Sequence, residues 1–343
     1  MAASSKASSN VWGAVYVPAR AFNAPQFWRN YNPDEAKRDM GFAASVNVNA
    51  LRVWVSYEYW QAAPNEFAAA FDDFLKKAWA RKIRIMPSLF ENCGTDPTEE
   101  NMWTTDPTKA FAIRSPHKAE IVDNPRRWGG PRKFVEWFMD RYGNDRRVLA
   151  IEVMNEPFPE ESKRFARAMM AAAAAMRGSV PLSLGGASAD MNLYFLDCGI
   201  DVFQVHDNFP KNEQEFRQKI EAAQRAGRVC GKPVWLTEWQ RIRPTSGGWY
   251  QGEKLPERQL MPDLASLAPV VRSLGMGAFF WSLMVKPAYL PGQRHNGTIN
   301  GLFWEDGSVW SLADARAIAG DPKAAFEERR GWPDWAPPKK WRG

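Results

Sequence analysis

Glu156 and Glu238 each close a short apolar run, one in Val148-Leu149-Ala150-Ile151-Glu152-Val153-Met154-Asn155-Glu156-Pro157 and the other in Pro233-Val234-Trp235-Leu236-Thr237-Glu238-Trp239. Each run has the composition of a buried strand, and carboxylates seldom sit at the rim of a core without a task. Two carboxyls in matched positions suit a reaction in which one protonates a leaving oxygen while the other attacks or stabilises carbon. That is the requirement of glycosidic-bond hydrolysis.

The elements that would position such a pair alternate along the chain. Strand-like segments are expected at 11–17, 49–55, 82–89, 148–155, 181–184, 201–205, 233–238 and 276–281. Helical segments are expected at 33–45, 65–81, 131–142, 162–177, 212–228, 262–274 and from 314 to 319. Pro33 after Asn32 suits a first helical turn. In the second helix Phe67, Phe71, Phe74, Leu75 and Trp79 recur at helical spacing. Eight alternating units predict one parallel sheet closed into a single (β/α)8 TIM barrel over 11–331. It is flanked by a flexible start, 1–10, and a Pro/Trp-rich tail, 332–343. Long connections are expected after the third, seventh and eighth strands, at 91–130, 239–261 and 282–302. They leave the strand ends that build an active site in a barrel, and Trp103, Trp128, Trp249, Tyr250 and Tyr289 could wall a sugar cleft.

Composition narrows the function classes. The chain has 343 residues, is 45% hydrophobic and 24% charged, and contains seventeen tryptophans, an excess that suits stacking on sugar rings. Its net charge of +6 comes from scattered basic pairs with no nucleic-acid-binding motif. The turn after the first strand, Val17-Pro18-Ala19-Arg20, lacks the glycines of a dinucleotide site, and no Gly-x-Ser-x-Gly elbow occurs. Cys93, Cys198 and Cys230 are far apart, odd in number and not in metal-ligand spacing, so no disulfide framework is expected. His117 and His295 lie in loops with no ligand partners in sequence reach, and neither a metal nor a cofactor is expected. No apolar run is long enough to span a membrane. Residues 1–10 lack the apolar stretch of a signal peptide. They read equally as the remnant behind a removed leader, which implies a secreted or periplasmic protein, or as a cytoplasmic start. A monomer is expected.

The ordered landmarks resemble the retaining (β/α)8 glycoside hydrolases of the clan that includes glycoside hydrolase family 5, the cellulase and mannanase family. They are Asn155-Glu156-Pro157 after strand four, Glu238 after strand seven, Arg52 in Ala50-Leu51-Arg52-Val53-Trp54, His206 after strand six, Trp281 in Phe279-Phe280-Trp281-Ser282, and Gly301-Leu302-Phe303-Trp304-Glu305-Asp306-Gly307 before the last helix. The resemblance implies double displacement through a glycosyl-enzyme. Glu156 would be acid and then base, with its pKa raised in the free enzyme, and Glu238 would be the nucleophile. Arg52 would hold Glu238 ionised, Asn155 would donate to the sugar 2-hydroxyl, His206 would lie beside the carboxylates, and Trp281 would floor the reacting sugar. Trp239, next to the nucleophile, joins the substrate-binding candidates.

Two positions depart from the pattern. Many relatives carry a tyrosine two residues after the strand-six histidine, where this chain has Asn208, itself a substrate-binding candidate. Tuning of the nucleophile is therefore expected from elsewhere, with Tyr57 and Tyr250 as candidates. Glu91 stands where many cellulases have a histidine, and it could bind sugar hydroxyls outside the reacting subsite. Glu152, inside strand four, reads as one half of a structural ion pair. The implied substrate is a β-linked glycan, a β-mannoside or β-glucoside, with the three long loops favouring a pocket for short or terminal glycosides. A catalytically silent glycan-binding barrel and a transglycosylase using the same glutamates are the alternatives.

Overall fold

A computed structural model describes residues 10–240, 262–289, 294 and 298–329. Its eight main strands are β1 (Trp12–Val15), β2 (Ala50–Trp54), β3 (Arg84–Glu91), β4 (Ile151–Asn155), β5 (Leu182–Gly185), β6 (Phe203–Asp207), β7 (Val234–Trp239) and β8 (Gly277–Phe280). They form one sheet in the order β5-β4-β3-β2-β1-β8-β7-β6, and the strand pairs are parallel. A parallel bridge between Ser183 and Val202 brings β5 to β6 and closes the barrel. The principal helices follow the strands in turn: α1 (Pro33–Ser45), α2 (Pro64–Ala80), α3 (Gly129–Tyr142), α4 (Glu160–Ala175), α5 (Ala189–Tyr194), α6 (Glu213–Cys230), α7 (Leu264–Ser273) and α8 (Leu312–Ala319). This is the (β/α)8 architecture that the alternation predicts.

Local chemistry sets the boundaries. The Asn32 side chain accepts the backbone N–H groups of Asp34 and Glu35, and Pro33 then opens α1. Helix α2 buries Phe67, Phe71, Phe74 and Leu75 against the sheet. Trp79, expected on the same face, is 37% exposed and lies under the Arg146 guanidinium. Strand β3 runs two residues beyond its expected end, so Glu91 belongs to a strand end rather than to a loop.

The barrel interior is layered. At the N-terminal end of the strands, Val11, Ala50, Met86, Leu149, Val202, Trp235 and Phe279 form an apolar plug. Above it lies a fully buried polar layer of Arg52, Ser88, Glu152, Ser183 and Gln204. Ser88 donates to Glu152 at 2.9 Å, and Gln204 donates to Ser183 at 2.9 Å. The larger apolar core fills the space between strands and helices. Such a layer of charge can exist inside a protein only if every member is paired, and its pairing carries the functional side chains above it.

The chain after β3 folds back on that strand. Glu91 and Ser115 exchange backbone hydrogen bonds of 2.9 and 2.8 Å, and Thr95 bridges Ile113. After β8 a two-stranded ribbon pairs Lys286–Pro287 with Ile299–Asn300. Arg294 donates to the carbonyls of Ala288, Pro107 and Ala110, tying the β3 and β8 connections together. Residues 1–9, most of the connection after β7 with Trp249 and Tyr250, and the 332–343 tail lie outside the described residues. Among the described residues, no helix is long and apolar enough to cross a membrane. All three cysteines are free thiols.

Candidate active site

Arg52 is the hub. Its side chain is completely buried at the centre of β2. Nε and one terminal nitrogen grip Glu152 at 2.7 and 2.6 Å. That same nitrogen donates to Asn155 Oδ1 at 2.7 Å, and the other donates to Glu238 Oε1 at 2.7 Å. The guanidinium also lies 4.7 Å over the Trp54 ring. Burial alone would favour the neutral form, but the charges and hydrogen bonds of Glu152 and Glu238 outweigh it and keep the cation. Burial likewise opposes ionisation of Glu152, and Arg52 more than compensates, holding that carboxyl below its ordinary range. Glu152 is thus half of a structural ion pair.

Glu238, near the end of β7, uses both oxygens. Oε1 faces Arg52, and Oε2 accepts Asn208 Nδ2 at 2.9 Å. Gln240 Nε2 donates to Asn208 Oδ1 at 2.8 Å, which fixes the direction of the Asn208 amide. Asn208 therefore takes the place beside Glu238 for which the sequence proposed a tyrosine. Tyr57 is buried among Trp60, Phe90 and Phe134, so it is not that partner. Tyr250 lies outside the described residues.

Glu156 follows β4 with φ at 43°, a left-handed backbone conformation that costs a non-glycine residue about 1 kcal/mol or more. Its N–H donates to Gly185 O at 3.0 Å. The twist lets Asn155 and Glu156, adjacent in sequence, both face the same cleft. His206 Nδ1 lies 2.6 Å from Glu156 Oε1 and 3.7 Å from Glu238 Oε1. The Cys93 thiol donates to Glu156 Oε2 at 3.3 Å. Burial pushes Glu156 up, but the hydrogen bond and charge of His206, the Cys93 thiol and Arg52 together hold it below its ordinary value. The expectation of a raised Glu156 in the free protein is corrected here, because the imidazole stands against the carboxyl.

Asn155, Glu91 and Gly185 complete the constellation. Asn155 Nδ2 lies 3.0 Å from each oxygen of Glu91, and Cys93 N donates to Glu91 Oε1 at 2.6 Å. Burial pushes Glu91 up to about 8 against these donors, with Glu156 and Glu238 adding to the rise. A Cβ on Gly185 would stand 2.8 to 2.9 Å from Asn155 Oδ1, Asn155 Cα and Glu152 Oε1, so a side chain there would displace both residues. Register irregularities fall at Glu152/Asn155, Val205/His206 and Leu236/Trp239, all at the strand ends carrying the site.

One ligand-type atom from each of Glu156, His206 and Glu238 lies within 4.8 Å of the others. The same three atoms could hold a cation, although the Arg52 guanidinium opposes one. A cavity of about 110 Å³ opens over Glu156 and Glu238, with Trp54, Trp281 and Tyr289 among its walls. Trp281 meets Trp54 edge-on at 5.7 Å and Tyr289 at 6.0 Å. A second chamber of about 90 Å³ shares Trp54, Glu91, Trp281 and Tyr289 with the first.

Arg52, Glu91, Asn155, Glu156, His206, Asn208, Glu238 and Trp281 thus come together. Trp239 does not: it is fully buried against Trp12 and Phe280, because the residue after Glu238 alternates outward into the helix layer. Trp128 packs on Phe165 with its N–H on Ile121 O, and Trp103 lies under Arg29, so neither walls the cavities. The sequence reading omitted Trp54, Cys93 and Gln240 from the site. Each lies two residues beyond a named site residue, and period-two spacing is the signal that finds them.

No protein-family profile matches the chain. No curated protein sequence matches it either. Solved structures share its fold at low identity. The hyperthermostable endo-1,4-β-D-mannanase of Thermotoga petrophila RKU-1 has 15% identity and a TM-score of 0.58, over 91% of this chain and 98% of that one. The exo-β-1,4-mannosidase Op5Man5 of Opitutaceae bacterium strain TAV5 has 15% identity and a TM-score of 0.62, over 90% and 58%. A GH5_18 enzyme of Bifidobacterium longum subsp. longum ATCC 55813, in complex with Manβ1-4GlcNAc, has 13% identity and a TM-score of 0.59, over 92% and 80%. These likenesses establish the fold, the one expected from the sequence landmarks.

Proposed function

We propose that this chain is a retaining β-glycoside hydrolase acting on short or terminal β-mannosides or β-glucosides. The observation that carries the reading is the approach of Glu156, His206 and Glu238 to within 4.8 Å of one another at the C-terminal mouth of the barrel. Retaining enzymes hold their carboxyls about 5–5.5 Å apart, whereas inverting ones leave about 6.5–9.5 Å for a water. Glu238, fixed by Arg52 and Asn208, attacks the anomeric carbon, and a glycosyl-enzyme forms as the glycosidic bond breaks. The departing oxygen takes its proton from Glu156. His206 Nδ1 and the Cys93 thiol hold the two Glu156 oxygens in place for that transfer. Glu156 then removes a proton from the water that releases the sugar. Trp54 and Trp281 line the cavity in which the ring would sit.

The sugar preference draws on the mannose-active enzymes that share the fold, and the adjoining chamber gives room beyond one reacting ring. A panel of aryl β-glycosides with β-1,4-linked disaccharides tests the reading. The intact chain should turn over a β-mannoside or β-glucoside, and a folded Glu238→Gln variant should not. Near-full activity in that variant would overturn the assignment.

A further inference from the structure

We propose that Glu91 is a positioning residue that makes the site selective for a hydroxyl at sugar C2, acting through Asn155. The inference rests on the glycosidase reading above and on the role of Asn155 toward that hydroxyl. Hydrolysis needs two carboxyls, and Glu152 is neutralised by Arg52, so Glu91 is a buried acid the reaction leaves unused.

The geometry supplies its task. The Asn155 side chain is held at both ends. Arg52 can only donate, so the atom facing it is Oδ1, and Nδ2 must face Glu91. Equal distances of 3.0 Å to the two Glu91 oxygens are those of one N–H shared between them, which leaves the second N–H for a ligand. Glu91 is itself fixed. It is 7% exposed, its Oε1 accepts Cys93 N–H, and its backbone is paired with Ser115 on the connection after β3. In register, Glu91 stands directly beside Asn155 across β3 and β4. Without the Glu91 oxygens as acceptors the amide plane can turn about its last side-chain bond while Oδ1 keeps Arg52. The free N–H then loses its aim at the C2 substituent.

A merely structural role for Glu91 would slow all substrates alike. A role through Asn155 affects only substrates that carry the C2 hydroxyl. The experiment compares aryl β-glycosides with their 2-deoxy counterparts in wild type, Glu91→Gln, Asn155→Ala and the double variant. The expected result is a loss in kcat/KM of about tenfold or more in Glu91→Gln on the 2-hydroxy substrate, against less than about twofold on the 2-deoxy one. The double variant should be no slower than Asn155→Ala. If Glu91→Gln does not fold, Glu91→Asp, which keeps the carboxyl group but draws it back by one methylene, should show the same selective loss to a smaller degree. Equal losses on both substrates, while Asn155→Ala is selective, overturn the proposal and leave the glycosidase reading standing. If Asn155→Ala is itself indifferent to the C2 hydroxyl, the assigned role of Asn155 fails and the proposal fails with it.

Discussion

His206 Nδ1 lies 2.6 Å from Glu156 Oε1, inside a site where the other imidazole nitrogen is buried without a protein partner among the described residues. The contact reverses the usual effect of burial on Glu156 and holds its carboxyl below the ordinary glutamate value near 4.5. An acid with a lowered folded pKa contributes stability that is present above its unfolded value and lost as pH falls through the folded one. His206→Ala should therefore cost the most stability near neutrality. The gap from wild type should narrow as the pH falls below about 4.5, in melting curves recorded from pH 3 to pH 7.

Arg52 serves three acceptor residues, and its removal leaves Glu152 and Glu238 without their cation. Breaking a buried ion pair from one side costs about 3–5 kcal/mol. Arg52→Met should lose stability of that order in urea titrations and abolish turnover. Arg52→Lys should recover only part of either, because an ammonium cannot reproduce the fork that holds Glu152 at two points.

Gly185 is packed so closely on Asn155 and Glu152 that a methyl group overlaps both. Gly185→Ala should cost about 1–3 kcal/mol. It should also lower kcat/KM at least about tenfold, because a displaced Asn155 and Glu152 disturb Arg52. Thermal melting and steady-state kinetics on one substrate check both.

Glu91 works in the opposite sense to Glu156. With its folded value pushed up to about 8, the unfolded chain ionises there before the folded protein does. Stability should fall as pH rises from about 4.5 towards 8, by up to about 1.4 kcal/mol per unit from this group. Glu91→Gln should flatten that slope, and the difference between the two stability profiles isolates the residue.

The barrel and the two glutamates were legible because their signals are local. Apolar runs mark strands, and the end of a strand marks a site. Alternation on those strands carries more than was taken from it. Arg52 and Trp54, Glu91 and Cys93, His206 and Asn208, and Glu238 and Gln240 are pairs two apart that share the cleft. The same rule turns Trp239 away from it. Where alternation fails, the backbone is irregular. Glu152 and Asn155 are three apart yet both bond Arg52, across the register shift on β4. Asn155 and Glu156 are neighbours that both face the cleft through the left-handed turn at Glu156. Side-chain periodicity contains neither feature. Nor does it reveal that His206 would set the charge of Glu156, which depends on a contact between residues 50 positions apart.

The division of labour between Glu156 and Glu238 is tested most directly by trapping. A 2-deoxy-2-fluoro β-mannoside or β-glucoside with a dinitrophenolate leaving group forms its glycosyl-enzyme quickly and releases it slowly. Intact-mass measurement followed by peptide mapping should find one sugar on the chain, on Glu238. Labelling of Glu91 or Glu156 instead, or turnover of the parent glycoside with inverted anomeric configuration and no adduct, would contradict the account.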